Sequence, residues 1–211
     1  MPESLTFRFI AITSVLFVLI FSSVALGDTI DDSLPTNTSV AVKESTRQAI
    51  QSGLMPQSVI ELTKAMVQHE FNEAQIQRAH AIMVEAKVSD SPEQPLMNKA
   101  HEGIAKNVPP SMIINAMETV QARHSFAFQQ ATRLTDQPSQ TQHLGKVLAA
   151  SLAAGFSKED ANEIVGKIQQ HARSTNPNQS YSLALECFQT ARDVSRLGVS
   201  SEAVAGMITQ G

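Results

Sequence analysis

Histidine next to glutamate could hold a zinc ion and activate water. Two such dipeptides occur, His69-Glu70 and His101-Glu102. A zinc protease places a second histidine four residues after the first on one helix face, so that both rings bind the metal while the glutamate acts as base. Here those positions are Glu73 and Ala105. We therefore predict neither a metal site nor a catalytic residue from these dipeptides.

A wider set of metal ligands requires one uninterrupted helix after His69. His69, Glu73 and His80 would then share a helical face. The pair Phe71-Asn72 predicts a helix cap between them, so the favoured interpretation is a solvated face.

Other catalytic patterns are incomplete. The single cysteine, Cys187, stands at helical spacing with Ala184 and Phe188, which is typical of a buried small side chain. The sequence has neither a nucleophile elbow nor a glycine-rich phosphate loop, and we predict no cofactor. A paired-carboxylate enzyme stays open only if acids from separate elements converge in space, namely Glu61, Glu70, Glu118, Asp160 and Glu163.

The densest polar segment covers residues 95–110 and reads PLMNKAHEGIAKNVPP. Lys99, Glu102 and Lys106 are spaced three and four residues apart, so they can pair along an exposed helix. Together with Asn98 they predict a polar recognition face, which is the candidate binding site. Simple stabilisation of the helix is the alternative.

Five residue pairs stand in a fixed order within this segment, namely Pro95-Leu96, Asn98-Lys99, Glu102-Gly103, Ala105-Lys106 and Pro109-Pro110. In these pairs the chain resembles uncharacterised bacterial exported helical proteins that carry the string PLxNKxxEGxAKxxPP. The resemblance implies a secreted bacterial helical protein. It brings no assigned activity with it.

Composition narrows the class of protein. The chain has 211 residues, with 16 Lys and Arg against 20 Asp and Glu, a net charge of −4. A nucleic-acid binder that works through a basic face is therefore excluded. One cysteine cannot form an intramolecular disulfide. Aromatic residues make up only 5% and tryptophan is absent, so aliphatic side chains and methionine must fill the core.

The N-terminus predicts export. An apolar run over residues 9–21 follows Arg8, and Ala25 and Gly27 occupy the −3 and −1 positions of a cleavage site. We predict a signal peptide over 1–27, a periplasmic or extracellular location, and no stable membrane span after cleavage. The alternative is an uncleaved anchor, although the run is shorter than the about 20 residues that a span needs.

The mature chain is predicted to have two parts. Residues 28–39 are polar and lack apolar periodicity, which indicates a flexible lead. Residues 40–211 are predicted to form a single all-helical domain.

A recurring break punctuates this domain. It reads Gly53-Leu54-Met55-Pro56, Asn107-Val108-Pro109-Pro110, Gly155-Phe156-Ser157-Lys158 and Gly198-Val199-Ser200-Ser201. Gly or Asn tolerates the left-handed conformation that ends a helix, the next apolar residue packs back, and Ser or Pro begins the following helix. A fifth, partial break has Asn72 and Gln75 as a capping box.

These breaks, and the spacing of apolar residues between them, predict an all-α fold. We expect about nine helices, at 41–52, 56–69, 72–88, 96–106, 110–134, 141–154, 157–173, 180–197 and 201–209. The interval between breaks drifts along the chain, which favours degenerate helix-hairpin repeats in an irregular bundle or a short solenoid. Common ancestry of the repeats stays open.

The sequence predicts an exported helical binding or scaffold protein of the bacterial envelope, with a protein or peptide partner and no nucleic acid. The first alternative is a small envelope chaperone, or holdase; the Leu-Thr-x-x-Gln signature of the small periplasmic chaperones is only approximated by Leu134-Thr135-Asp136-Gln137. The second, less favoured, is a hydrolase acting on envelope polymers. The sequence leaves the ligand and the oligomeric state undetermined.

Overall fold

The structure, a computed structural model, describes residues 30, 32–172 and 177–210. Within these residues the chain is all-α and contains no β-strand, which confirms the predicted fold class. The described part contains nine helices, as expected: α1 Val40–Gln51, α2 Pro56–Gln68, α3 Glu73–Val88, α4 Gln94–Ala105, α5 Pro110–Thr132, α6 Pro138–Ala153, α7 Lys158–Ala172, α8 Pro177–Ser195 and α9 Ser201–Gln210.

The predicted signal peptide over 1–27, and its alternative as an anchor, lie outside the described residues. None of the helices in the described ranges is both long enough and apolar enough to cross a membrane.

Three helices begin two or three residues earlier than the sequence predicts, because a proline belongs to their first turn. Pro95 lies in the first turn of α4, Pro138 begins α6 and Pro177 begins α8. All three had been expected in connections. Proline is well tolerated there, because the first N–H groups of a helix have no partner within the helix and the fixed φ suits its start.

The left-handed conformation occurs at all four predicted breaks. Gly53, Asn107, Gly155 and Gly198 have φ values of 91°, 52°, 111° and 82°. After the first three, the next residue donates its N–H to the helix carbonyl five positions earlier, as in Val108 to Gly103 at 3.0 Å. At the fourth break that bond does not occur and the following residue, Val199, is exposed.

The next helices begin as the breaks predict. Pro56 and Pro110 are first helical residues, and the Ser157 and Ser200 hydroxyls accept from the backbone N–H three positions on, at 3.0 and 3.4 Å. The Asn72 capping box also forms, with both of its hydrogen bonds.

Two further left-handed corners have residues for which the sequence did not predict this conformation. Glu70 and Asp90 have φ values of 59° and 51°, although each has a Cβ that disfavours this region by about 1–2 kcal/mol. Both corners still close with the backbone bond that ends a helix, from Phe71 to Met66 at 3.1 Å and from Ser91 to Ala86 at 3.0 Å. The buried Phe71 ring helps to offset the backbone cost at Glu70.

Each helix packs mainly on its near neighbours along the chain. Among the described helices, every pair with extensive contact is either consecutive or separated by one helix. α1 lies on α3, α2 on α4, α3 and α4 on α5, α5 on α6, and α6 on α8, while α7, α8 and α9 pack together. Such short-range contact is typical of stacked helical hairpins. Common ancestry of the hairpins stays a prediction.

Buried apolar residues form two clusters that share α5. The first cluster contains Ile113 and Met117 from the start of α5, together with side chains from α1 to α4. The second contains Ala127 and Ala131 from the end of α5, together with side chains from α6 to α9. Residues 121–126 of α5 separate the fully buried members of the two clusters, and they include the half-buried Arg123 and His124.

Part of the predicted lead belongs to the packed fold. Ile30 is 1% exposed and Leu34 is 4% exposed, and both contact the first cluster. The Leu34 N–H donates to the Ile30 carbonyl at 3.1 Å, so a helical turn brings the two side chains to one side. Apolar burial therefore holds these residues of the segment 28–39 against the core.

A close approach fixes α4 against α5. A Cβ at Gly103 would lie 2.6 Å from Ile113 Cγ1 and 2.9 Å from Ile113 Cδ1, closer than side-chain atoms pack. Gly103 is therefore required by the contact with Ile113, which explains this glycine of the PLMNKAHEGIAKNVPP segment.

We expect Gly103→Ala to lower the free energy of unfolding by about 1–3 kcal/mol, because it overpacks this contact. Ile113→Ala alone should cost about 2–5 kcal/mol through the cavity that it leaves. The double variant should cost less than the sum by about 0.5–3 kcal/mol, since the new methyl group enters that cavity. Urea unfolding measures all three.

The matched control is Gly166→Ala on α7, where nothing lies within 4 Å of the added Cβ. This variant should gain up to about 1 kcal/mol from helix propensity. Equal effects at Gly103 and Gly166, or strict additivity of Gly103 and Ile113, would contradict the close approach.

Candidate functional site

Three of the four predicted site residues lie on the exposed side of α4, and the fourth, Lys106, is the residue that follows its end. The Lys99 and Lys106 ammonium groups each donate to a different oxygen of Glu102, both at 2.5 Å. These hydrogen bonds, first from Lys106 and then from Lys99, lower the pKa of Glu102 to about 2. The Asn98 side-chain oxygen accepts from Gln94 Nε2 at 2.9 Å. Their polar contacts are thus made within α4, and a recognition role for this face stays a prediction.

The rest of that segment builds the corner between α4 and α5. Gly103 provides the close approach, Asn107 provides the left-handed turn, and Pro110 is the first residue of α5. Much of the string that carries the family resemblance therefore has a structural explanation.

Four of the five acidic residues considered for a paired-carboxylate site have hydrogen-bond or ion-pair partners. Glu61 accepts from Gln57 at 2.5 Å, Glu118 pairs with Arg78 at 2.8 Å, and Glu163 pairs with Lys167 at 2.8 Å. Asp160 accepts from the hydroxyls of Ser157 and Ser201 and so joins the starts of α7 and α9. Glu70 is the left-handed residue of a corner. The contacts of these acids are structural.

The wider metal set is also divided by the fold. The Asn72 cap breaks the helix between His69 and Glu73, and the Glu73 carboxylate accepts from the Ser39 hydroxyl at 2.6 Å. In residues 30, 32–172 and 177–210, no three His, Cys, Asp or Glu side chains are grouped so that they could hold a metal ion.

His80 is buried where α1, α2 and α3 meet. Its Nδ1 lies 2.9 Å from the Ser45 hydroxyl of α1, and its Nε2 lies 2.9 Å from the Thr63 hydroxyl of α2. The ring is 3% exposed, and this burial lowers the pKa of His80 to about 4. Glu44 of α1 lines the same groove of about 530 Å³.

The hydrogen-bond geometry around His80 would also fit a charged ring. Ser45 and Thr63 can donate to helix carbonyls, at 3.0 and 2.8 Å, and each would then accept from a protonated ring nitrogen. A neutral ring requires one hydroxyl to turn toward it, which costs about 0.5–1.5 kcal/mol. Burying an imidazolium costs several kcal/mol. The neutral ring therefore prevails near neutral pH.

An apolar groove of about 220 Å³ lies between α7, α8 and α9. Its lining includes Ile168, Leu183, Cys187 and Ile208. Burial, and then the nearby Glu186, raise the pKa of the half-buried Cys187 thiol, so this cysteine stays protonated as expected for a small apolar side chain. A holdase would need such an apolar surface, and the chaperone alternative stays a prediction.

An open cleft of about 760 Å³ lies beside the second half of α5, and we call it the junction cleft because the corner before α4 and the corner before α6 both line it. Its lining comes from three stretches: Ser89 and Asp90 before α4; Ser125, Phe128, Gln129 and Thr132 of α5; and Thr135, Asp136, Pro138, Thr141 and Gln142 around the start of α6.

Several polar groups of the junction cleft are held in place by the fold. Thr132 donates to the Gln129 carbonyl at 2.8 Å, and Thr141 donates to the Thr135 carbonyl at 3.2 Å. Gln142 Nε2 makes a long hydrogen bond of 3.5 Å to the Asp90 carbonyl, which links the two sides of the cleft. These contacts order the wall of the cleft.

Four other side chains of the cleft have unused hydrogen-bonding groups. Ser125, Gln129, Asp90 and Asp136 make no side-chain hydrogen bond or ion pair with any residue that the structure describes. They offer one hydroxyl, one amide and two carboxylates to whatever occupies the cleft.

The sequence does not indicate this cleft. Both of its aspartates lie in connections between the predicted helices, at 89–95 and 135–140, but no pattern in one segment indicates that two connections face each other. A local signal did exist: Ser125, Gln129 and Thr132 form a polar stripe on α5 at helical spacing.

Comparison of the chain with protein-family models, with curated proteins and with solved structures found no match in any of the three. The resemblance to exported bacterial helical proteins therefore stays a prediction.

We expect acid to destabilise the fold through His80. The unfolded ring takes up a proton near its ordinary pKa of 6.5, whereas the folded ring does so only near 4. Lowering the pH from about 7.5 to about 5 should therefore cost about 2 kcal/mol of unfolding free energy from this residue. Urea unfolding at several pH values measures the change.

His80→Gln removes the titration and retains a polar side chain, so its stability should fall less over this pH range. His124 contributes in the same direction, because burial and the nearby Arg123 lower its pKa to about 4. The matched control is His101→Gln on the exposed side of α4. An unchanged pH dependence in His80→Gln would show that the buried ring is not responsible.

Proposed function

We propose that the chain is an exported helical binding protein of the bacterial envelope and that the junction cleft holds its ligand. The observation that carries the proposal is the group of four side chains, Ser125, Gln129, Asp90 and Asp136, whose hydrogen-bonding groups the described fold leaves unused. A concave surface with a few convergent polar groups is the usual form of a ligand site.

The lining of the cleft supports binding over hydrolysis. A carboxyl group that acts as a general acid normally has apolar surroundings, which raise its pKa. Asp90 and Asp136 are both exposed. No histidine, lysine or cysteine is among the described residues that line the cleft. The hydrolase alternative therefore gains no support from this site.

Export is tested by the start of the recovered protein. We expect the full sequence, expressed in a bacterium, to yield a periplasmic or released protein that begins at Asp28, because Ala25 and Gly27 suit signal peptidase. Intact mass spectrometry measures this. Ala25→Trp combined with Gly27→Trp should block cleavage. Recovery of the uncleaved wild-type chain from membranes would favour the anchor instead.

Ligand binding is tested on the exported protein itself. Native mass spectrometry of the wild-type chain, purified without denaturation, should show a bound mass. Gln129→Arg should remove it, since the longer cationic side chain enters the cleft toward the two aspartates. Gln51→Arg makes the same chemical change at an exposed site at the end of α1 and should retain the bound mass.

Two results would overturn the proposal. One is wild-type protein that neither carries a bound mass nor binds any added small ligand, and the other is a bound mass that Gln129→Arg retains in full. Circular dichroism of both variants confirms that the helical fold persists.

A further inference from the structure

We infer that the ligand of the junction cleft is a short uncharged oligosaccharide. This inference rests on the proposed function, because it names the chemical class that the same cleft would bind. Its basis is the balance of charge, donors and acceptors around the cleft.

The charge of the cleft disfavours anionic ligands. Asp90 and Asp136 are its only charged lining residues in the described part of the chain, and the whole chain has a net charge of −4. A phosphate, a nucleotide or an acidic polymer would meet two carboxylates without a cation to offset them.

The cation that directly follows α5 is bound to side chains outside the cleft. Arg133 follows Thr132 of the cleft, but its guanidinium donates to side-chain oxygens of Gln130 at 2.5 Å, Asn162 at 2.8 Å and Gln169 at 2.9 Å. The last two residues belong to α7. These hydrogen bonds fix the Arg133 guanidinium against α7. The described lining of the cleft therefore keeps two aspartates and no cation.

The polar groups of the cleft complement sugar hydroxyls. A carboxylate accepts hydrogen bonds only, and its two oxygens can take two adjacent hydroxyl groups. The Gln129 amide both donates and accepts, and so does the Ser125 hydroxyl. A sugar hydroxyl likewise donates and accepts, so one ring can use all three kinds of group.

Phe128 is the one aromatic residue among the described lining residues, but it is only 3% exposed because its ring packs against Gly145 of α6, where a Cβ would lie 2.8 Å from Phe128 Cδ2. A ligand would therefore contact the cleft mainly through its polar groups, which suits the hydroxyl-rich surface of a sugar. The volume of about 760 Å³ also falls in the range of about 300–1,000 Å³ for small-ligand sites.

A polyamine is the competing ligand class, since two carboxylates also attract cations. It would leave the Ser125 hydroxyl and the Gln129 amide oxygen and nitrogen only partly used, because an ammonium group donates and does not accept. The oligosaccharide uses the neutral groups as well as the charged ones, and for this reason it is the better fit.

The test is calorimetric titration of the exported chain with defined probes. These are chitotriose, cellotriose and maltotriose as uncharged sugars, a hyaluronan tetrasaccharide as an anionic sugar, and spermidine as a cation. We expect binding of at least one uncharged sugar, with a Kd that changes little with added salt, because salt screens interactions between charges.

Asp90→Asn and Asp136→Asn should each weaken the binding of that sugar by about tenfold, because a neutral amide replaces a charged acceptor. Gln129→Ala should weaken it as well. Asp193→Asn, an exposed aspartate on α8, is the matched control and should leave the Kd unchanged. Thermal unfolding confirms that each variant is folded.

The outcomes separate this inference from the proposed function. Three results would overturn the assigned ligand class: binding of spermidine alone, binding of the anionic sugar alone, or a sugar Kd that neither Asp90→Asn nor Asp136→Asn changes. A bound mass in the native protein that Gln129→Arg removes, combined with no sugar binding, would overturn the ligand class and retain the proposed function. The absence of any bound mass and of binding of any probe would overturn both.

Discussion

The fold depends on one long helix whose apolar face serves two cores. Ile113 and Met117 of α5 are buried in the first cluster, and Ala127 and Ala131 are buried in the second. Burial of apolar surface is the main favourable term in folding, so loss of packing on α5 would weaken both clusters together. Between them stands Arg123, whose burial lowers its pKa and whose charge is costly to place in an apolar core. The two clusters are therefore separate along α5.

Tight corners give the helices their short-range contacts. Gly155 and Asn107 reverse the chain in a single left-handed residue, and the following Phe156 and Val108 contact the core that they close. Helices joined in this way meet mainly their nearest neighbours, which is the arrangement of stacked hairpins. Because these corners are short, their polar residues, such as Asp90, stay at the surface, where a ligand-binding site can form.

The junction cleft follows from this architecture. Two corners, one before α4 and one before α6, line the cleft together with the second half of α5. Their aspartates and the polar stripe of α5 therefore remain accessible. Gly145 allows α6 to approach Phe128 and bury its ring, so the accessible lining of the cleft is mainly polar. The polar face of α4 differs from the cleft in that its carboxylate is already paired: Lys99 and Lys106 both bind Glu102.

The sequence by itself determined the all-α class, the number of helices and the corners at Gly53, Asn107, Gly155 and Gly198, because helix periodicity and left-handed residues act over a few positions. It missed the corners at Glu70 and Asp90, where nearby backbone bonds override an unfavourable residue type. Only the tertiary structure decided that α5 joins two cores, that His80 pins three helices, and that two distant connections enclose one cleft. These features arise from contacts between segments that are far apart in the chain, and the pattern of residues within one segment does not predict such contacts.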